Sequence, residues 1–185
     1  MLIAIIVIIV VAAAIALAVV PMYNRLVRVR NRSENAWAQV DVQLKRRADL
    51  VPNLVEAVKG YASHEQETFE EVTRARAASQ QAQTVPEQAQ AENMLSAALG
   101  RLLAVAEAYP QLRATENFQN LQNQLSEIEE KLAISRQVYN DTVLTYENAL
   151  ETLPTSVIAA MFRFRPRVYF ETDGAAREAP KVQFT

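Results

Sequence analysis

Residues 1–20 are an unbroken run drawn only from Met, Leu, Ile, Val and Ala, and this run narrows the fold more than any other feature of the chain. At about 1.5 Å rise per residue it makes a rod of roughly 30 Å, the thickness of a bilayer's hydrocarbon core. A cleaved leader is the rival reading, since Ala16-Leu17-Ala18 resembles an A-x-A cleavage site. However, no basic n-region precedes the run, and the run exceeds the roughly 7–15 apolar residues of an ordinary leader. A retained single-pass anchor over residues 1–21 is the expectation.

All 19 Lys+Arg and 21 Asp+Glu follow this run, leaving a net charge of −2. A balance so close to neutral does not fit a general nucleic-acid binder. With no cysteine there is no disulfide framework, thiolate metal site or cysteine nucleophile. Three glycines in 185 residues argue against sheets and phosphate-binding loops, which need glycine, and for long helices, which avoid it.

Apolar residues past the anchor keep helical rhythm. Trp37, Val40, Leu44, Val51, Leu54, Val58 and Tyr61 form one stripe, extended toward the membrane by Tyr23, Leu26 and Val27. Pro52 removes a backbone donor, so a kink or break is expected near Leu50. Thr84 with Glu87 fits a capping box and Pro86 suits a first turn, which predicts a second helix running to just before Tyr109-Pro110. Phe118, Leu121, Leu125, Ile128, Leu132, Ser135, Tyr139, Thr142, Tyr146, Ala149 and Leu153 then alternate steps of three and four, a coiled-coil-type seam closed by Pro154. Residues 155–162 suit a short amphipathic helix, and residues 171–185 read as a loose polar tail. The expected organisation is an anchor (1–21), a helical bundle (22–154), and a short amphipathic segment with the tail (155–185).

Catalytic constellations are missing. The single histidine, His64, follows Tyr61 where an E-x-x-H metal repeat would need Glu. Gly60, Gly100 and Gly174 form neither G-x-S-x-G nor a phosphate loop. Asp41, Asp49 and Glu56 read as solvated charges on a long helix. The expectation is a non-enzyme with no catalytic, cofactor-binding or metal residues.

Two basic features remain. Arg25, Arg28, Arg30 and Arg32 lie just past the anchor, which by the positive-inside rule places the bundle in the cytoplasm and its arginines near anionic lipid. Plain helix solubility is the bland alternative. In residues 162–170, aromatic or apolar side chains alternate with arginine, fitting a membrane surface, another subunit, or an arm packed on the bundle end. Trp37, Phe162, Phe164 and Tyr169 are candidate contact aromatics, each also a candidate core residue.

A geometric argument favours oligomers. A first segment from residue 22 to about 83 would be roughly 90 Å long if straight, against about 33 Å for the second helix, so the third must cover the remainder or leave apolar surface bare, while a kink at Pro52 that folds the segment on itself would favour a monomer. Anchoring also concentrates copies in two dimensions.

Tyr23-Asn24, Leu26-Val27, Arg30-Asn31, Ala36-Trp37, the run from Val40 through Val55, Lys59-Gly60-Tyr61-Ala62 with His64-Glu65, Tyr109-Pro110, Arg136 with Tyr139-Asn140, Phe170-Glu171 and the ending Ala179-Pro180-Lys181-Val182-Gln183-Phe184 resemble the LemA family. The resemblance implies a bacterial membrane protein with one N-terminal span and an antiparallel helical bundle. It brings no agreed catalytic residues. A relative takes part in magnetosome membrane formation, which implies organising or shaping membrane. The leading expectation is thus an all-α, membrane-anchored protein of the bacterial cell membrane, binding the lipid bilayer and itself but no nucleic acid. The alternative is a tethered adaptor or sensor for another, unidentified protein or a lipid, and a membrane enzyme comes third.

Overall fold

The computed structural model describes residues 1–171, except the side chain of Ile15. The polar tail beyond Glu171, with Gly174 and the ending from Ala179 to Phe184, lies outside the described residues. Those described are all-α, with no strand among them.

The first helix, α1 (Leu2–Lys59), has 58 residues, which makes it roughly 87 Å long. The candidate membrane span and the first helix of the bundle are therefore one element. Pro21 and Pro52 both lie inside it, so the break expected near Leu50 does not occur. The physical reason is on the neighbouring helix. Proline at 52 leaves the Ala48 carbonyl without its usual donor, and Arg76 Nε donates to that carbonyl at 2.7 Å. The chain turns instead after Gly60. It returns as α2 (Gln66–Gln81), which packs on α1 and on α3 (Val85–Glu107).

Helix α3 starts at the predicted capping box. Glu87 N–H donates to Thr84 Oγ1 at 3.4 Å, and Thr84 N–H donates back to Glu87 Oε2 at 3.0 Å. Backbone hydrogen bonds from Gln83 and Thr84 hold the Glu87 carboxyl below its ordinary pKa. A single turn, α4 (Pro110–Arg113), leads into α5 (Glu116–Glu151), and α6 (Thr155–Met161) follows Pro154.

Helix α5 runs antiparallel to α1, with Glu129 beside Arg47, Tyr139 beside Trp37, and Ala149 in one cluster with Leu26. Along its predicted seam Phe118, Leu121, Leu125, Leu132, Tyr139, Tyr146 and Ala149 are buried. Ile128, Ser135 and Thr142 are half-buried and Leu153 is exposed. Residues 22–59 and α5 are roughly 57 and 54 Å long, a near match. The uncovered length that argued for oligomers does not exist, because the turn at Gly60 ends the first segment early.

Three apolar clusters stack along the bundle. The one farthest from the span gathers Leu54, Leu99, Leu102 and Phe118; a middle one gathers Val40, Leu132 and Tyr139; the third, at the span, gathers Leu26, Ile158 and Ala159.

Candidate functional site

The site is built where the span leaves the apolar run. Ile158 and Ala159 of α6 are buried with Leu26 and Ala149, and Val19 and Met22 of α1 pack against the same cluster. Helix α6 thus lies level with the end of the run. Its other face is bare: Val157 and Met161, four residues apart, are 55% and 63% exposed, and Leu153, just before the helix, is 79% exposed. Arg163 then takes φ 57, the left-handed conformation for which glycine is the default. Its N–H donates to the Ala160 carbonyl (3.3 Å) and Phe164 N–H to the Ala159 carbonyl (3.0 Å), the paired bonds of a Schellman ending. An L-residue there costs on the order of 1–2 kcal/mol.

Phe162 and Phe164 close around Tyr23, at ring-centroid distances of 4.8 and 5.7 Å. The Arg30 guanidinium sits over the Phe164 ring at 5.6 Å. Behind these rings lies an open cavity of about 410 Å³, lined by Tyr23, Arg30, Tyr146 and residues 162–167. Glu34 pairs with Arg167 and approaches Arg30 Nε at 3.9 Å.

Beyond the cavity the chain runs as an extended arm along α5, held by side chains reaching its backbone. Tyr146 Oη donates to the Arg165 carbonyl at 3.0 Å and Tyr139 Oη to the Val168 carbonyl at 2.8 Å. Asn140 pairs with both backbone groups of Phe170, accepting from its N–H at 2.9 Å and donating to its carbonyl at 3.2 Å. Tyr169 Oη donates to Glu147 Oε2 at 2.5 Å, a bond that pushes its pKa up to about 12. Burial raises the Tyr139 and Tyr146 hydroxyls as well.

Of the four arginines past the anchor, Arg30 joins this site, while Arg25, Arg28 and Arg32 are exposed on α1 away from the cavity lining. Trp37 is half-buried between Tyr139 and Phe170, at 5.1 and 5.8 Å. Phe164 and Tyr169 are half-buried in the arm, and Phe162 is 49% exposed.

A second constellation escaped the sequence reading. Glu92, fully buried, accepts from Arg47 Nη1 (3.0 Å), Ser79 Oγ (2.5 Å) and Gln88 Nε2 (3.3 Å), while Arg47 Nη2 donates to Glu129 Oε1 at 3.0 Å. Nearby, Arg136 stacks over Phe170 at 4.7 Å, and burial lowers its pKa. This polar layer separates the far cluster from the middle one. The signal was in the spacing: the apolar stripe of α1 skips from Leu44 to Val51 across Arg47, and Glu92 continues the buried face that holds Leu95, Leu99 and Leu102. The Arg47 pairs to Glu92 and Glu129 tie α1 to α3 and α5, while Arg47 Nε and Arg136 Nε and Nη2 are buried without a partner among the described residues. Among the described residues no group of three or more His, Asp or Glu is gathered to hold a metal ion.

The sequence profile of the LemA family matches residues 36–184. The magnetosome protein MamQ of Magnetospirillum gryphiswaldense is 24% identical over 174 residues, covering 80% of this chain and 64% of the relative. The magnetosome proteins MamQ 1 and MamQ 2 of Paramagnetospirillum magneticum are each 32% identical over 74 residues, covering 40% of this chain and 27% of the relative. The chain therefore spans less than two thirds of the length of each of these relatives.

Proposed function

This chain belongs to the LemA family, and from that premise we propose that it is a non-enzymatic, membrane-anchored bundle whose copies assemble side by side and organise or shape the bacterial membrane. The observation that carries the reading is the bare apolar face of α6, held level with the end of the span by Val19 and Met22. A short helix with such a face settles into the headgroup boundary of one leaflet and spreads it. The named relatives are magnetosome proteins, and what passes from them to this chain is a role at a membrane.

Lateral assembly draws on confinement to two dimensions, where a weak contact becomes populated. On α5, Ile134 and Val138 are exposed one turn apart, and the register with α1 puts exposed Val42 level with Ile134. Phe162 adds an exposed aromatic close to the membrane. We place the bundle in the cytoplasm, since Arg163 and Arg165 add to the four arginines crowding the same side of the span. A C-terminal reporter active only outside the cytoplasm would reverse that placement.

The full-length protein should be reconstituted into vesicles, imaged by electron microscopy, and its particle mass measured over a wide range of protein-to-lipid ratios. The expected result is oligomers with locally deformed bilayer. A monomer at every ratio, on undisturbed vesicles, would end this reading and promote the adaptor.

A further inference from the structure

We infer that the cavity between Tyr23 and the start of the C-terminal arm binds the phosphate of an anionic phospholipid headgroup. The inference rests on the reading that α1 spans a bilayer, and it stands independently of whether copies assemble.

Charge comes first. Arg30, Arg163, Arg165 and Arg167 all line the cavity, and Glu34 is the acid that pairs at its edge. Arg30 and Arg167 share that one carboxylate. Arg163 and Arg165 are exposed, and among the described residues neither has an acidic partner. Guanidinium groups bind phosphate through paired N–H donors, and two unpaired ones at a single cavity are a fit for a phosphodiester.

Depth comes second. Phe162 stacks on Tyr23, three residues past the apolar run, so Arg163 sits roughly 5 Å above the hydrocarbon boundary, where lipid phosphates lie. A free phosphate offers the same oxygens. What favours a lipid is the wall made by Tyr23, Phe162 and Phe164, which continues from the span and gives the glycerol and upper acyl chain an apolar surface.

Backbone conformation comes third. An arginine occupies the left-handed position that ends α6, where glycine would be unstrained. That makes a clean variant available: Arg163→Gly removes the charge while relieving the backbone, and Arg165→Gln leaves the backbone carbonyl that Tyr146 holds.

The test uses the full-length chain in nanodiscs containing both phosphatidylcholine and phosphatidylglycerol, with retained lipid read by native mass spectrometry. Wild type should retain phosphatidylglycerol in preference to phosphatidylcholine. Arg163→Gly/Arg165→Gln should lose that retention by roughly tenfold or more while melting no lower than wild type. The control Arg25→Gln/Arg32→Gln removes as much charge outside the cavity and should retain the lipid. Equal loss in both variants would overturn the site in favour of diffuse attraction, and equal retention of phosphatidylcholine would overturn the phosphate as the recognised group. Displacement of phosphatidylglycerol by millimolar inorganic phosphate would overturn the lipid as ligand. A chain that stays monomeric yet keeps its phosphatidylglycerol supports this site and removes the assembly reading alone; a chain that leaves the bilayer on carbonate washing removes the anchor reading and this site with it.

Discussion

Glu92 is an uncommon place for a carboxylate, with no exposed surface and three neighbours donating to it. Taking away one partner of a buried pair strands the other, so Glu92→Ala should destabilise the fold by about 3–5 kcal/mol in denaturant titrations of the detergent-solubilised chain. Arg47→Met/Glu92→Leu, which removes both, should cost less than Glu92→Ala alone. The arm depends on protonated tyrosines in a way that pH can read. Tyr169 has its pKa raised from 10 to about 12, and Tyr139 and Tyr146 are raised too. A raised pKa favours the protonated form in the fold. These contributions are thus complete below pH 10 and are lost as pH rises, for Tyr169 through about 12. Tyrosinate absorbance should develop late, and Tyr169→Phe should abolish the latest step. Individual residues were the hardest scale to read in advance. Glu92 and Arg47 are ordinary charges in the sequence, 45 positions apart, and only folding brings them together.

Helix α1 survives Pro52 because another helix completes it. If Arg76 serves the orphaned Ala48 carbonyl, Arg76→Met should cost about 1–3 kcal/mol, and the loss should shrink in a Pro52→Ala background where the helix supplies its own donor. Equal losses in both backgrounds would show that Arg76 acts otherwise. Of the kink or break expected at this element, the break does not occur, for a definable reason: a proline announces a missing donor but not whether a distant residue replaces it. Helix α3 was legible to its first residue because a capping box is local chemistry, satisfied within four positions. The α5 seam was legible because alternating steps of three and four need only one wide apolar neighbour. Burial grades it: Leu125→Asp should cost several kcal/mol, while the half-buried Ile128 should tolerate Asp better, compared by thermal melting.

Across the whole molecule, length proved the misleading quantity. The chain beyond the span looked too long for its partners until the turn at Gly60 made the bundle arm of α1 and α5 nearly equal. The charge-rich arm read equally as a contact surface or as an arm packed on the bundle end, and it packs: its polar partners are the tyrosines and the asparagine of α5, which no spacing rule ties to residues 19 to 30 positions away.

The continuity of α1 carries a mechanical consequence. Helix α1 runs unbroken through Pro21 from the candidate span into the bundle, which makes the protein a lever whose short arm is that span. A span longer than the local hydrocarbon tilts to fit, commonly by about 20°. With roughly 57 Å of rod outside, that tilt sweeps the far tip sideways by roughly 20 Å. Spin labels at Tyr61 should accordingly sit lower over thin bilayers than over thick ones, and three glycines inserted after Met22 should erase the difference. Bilayer thickness, on this account, is transcribed into reach.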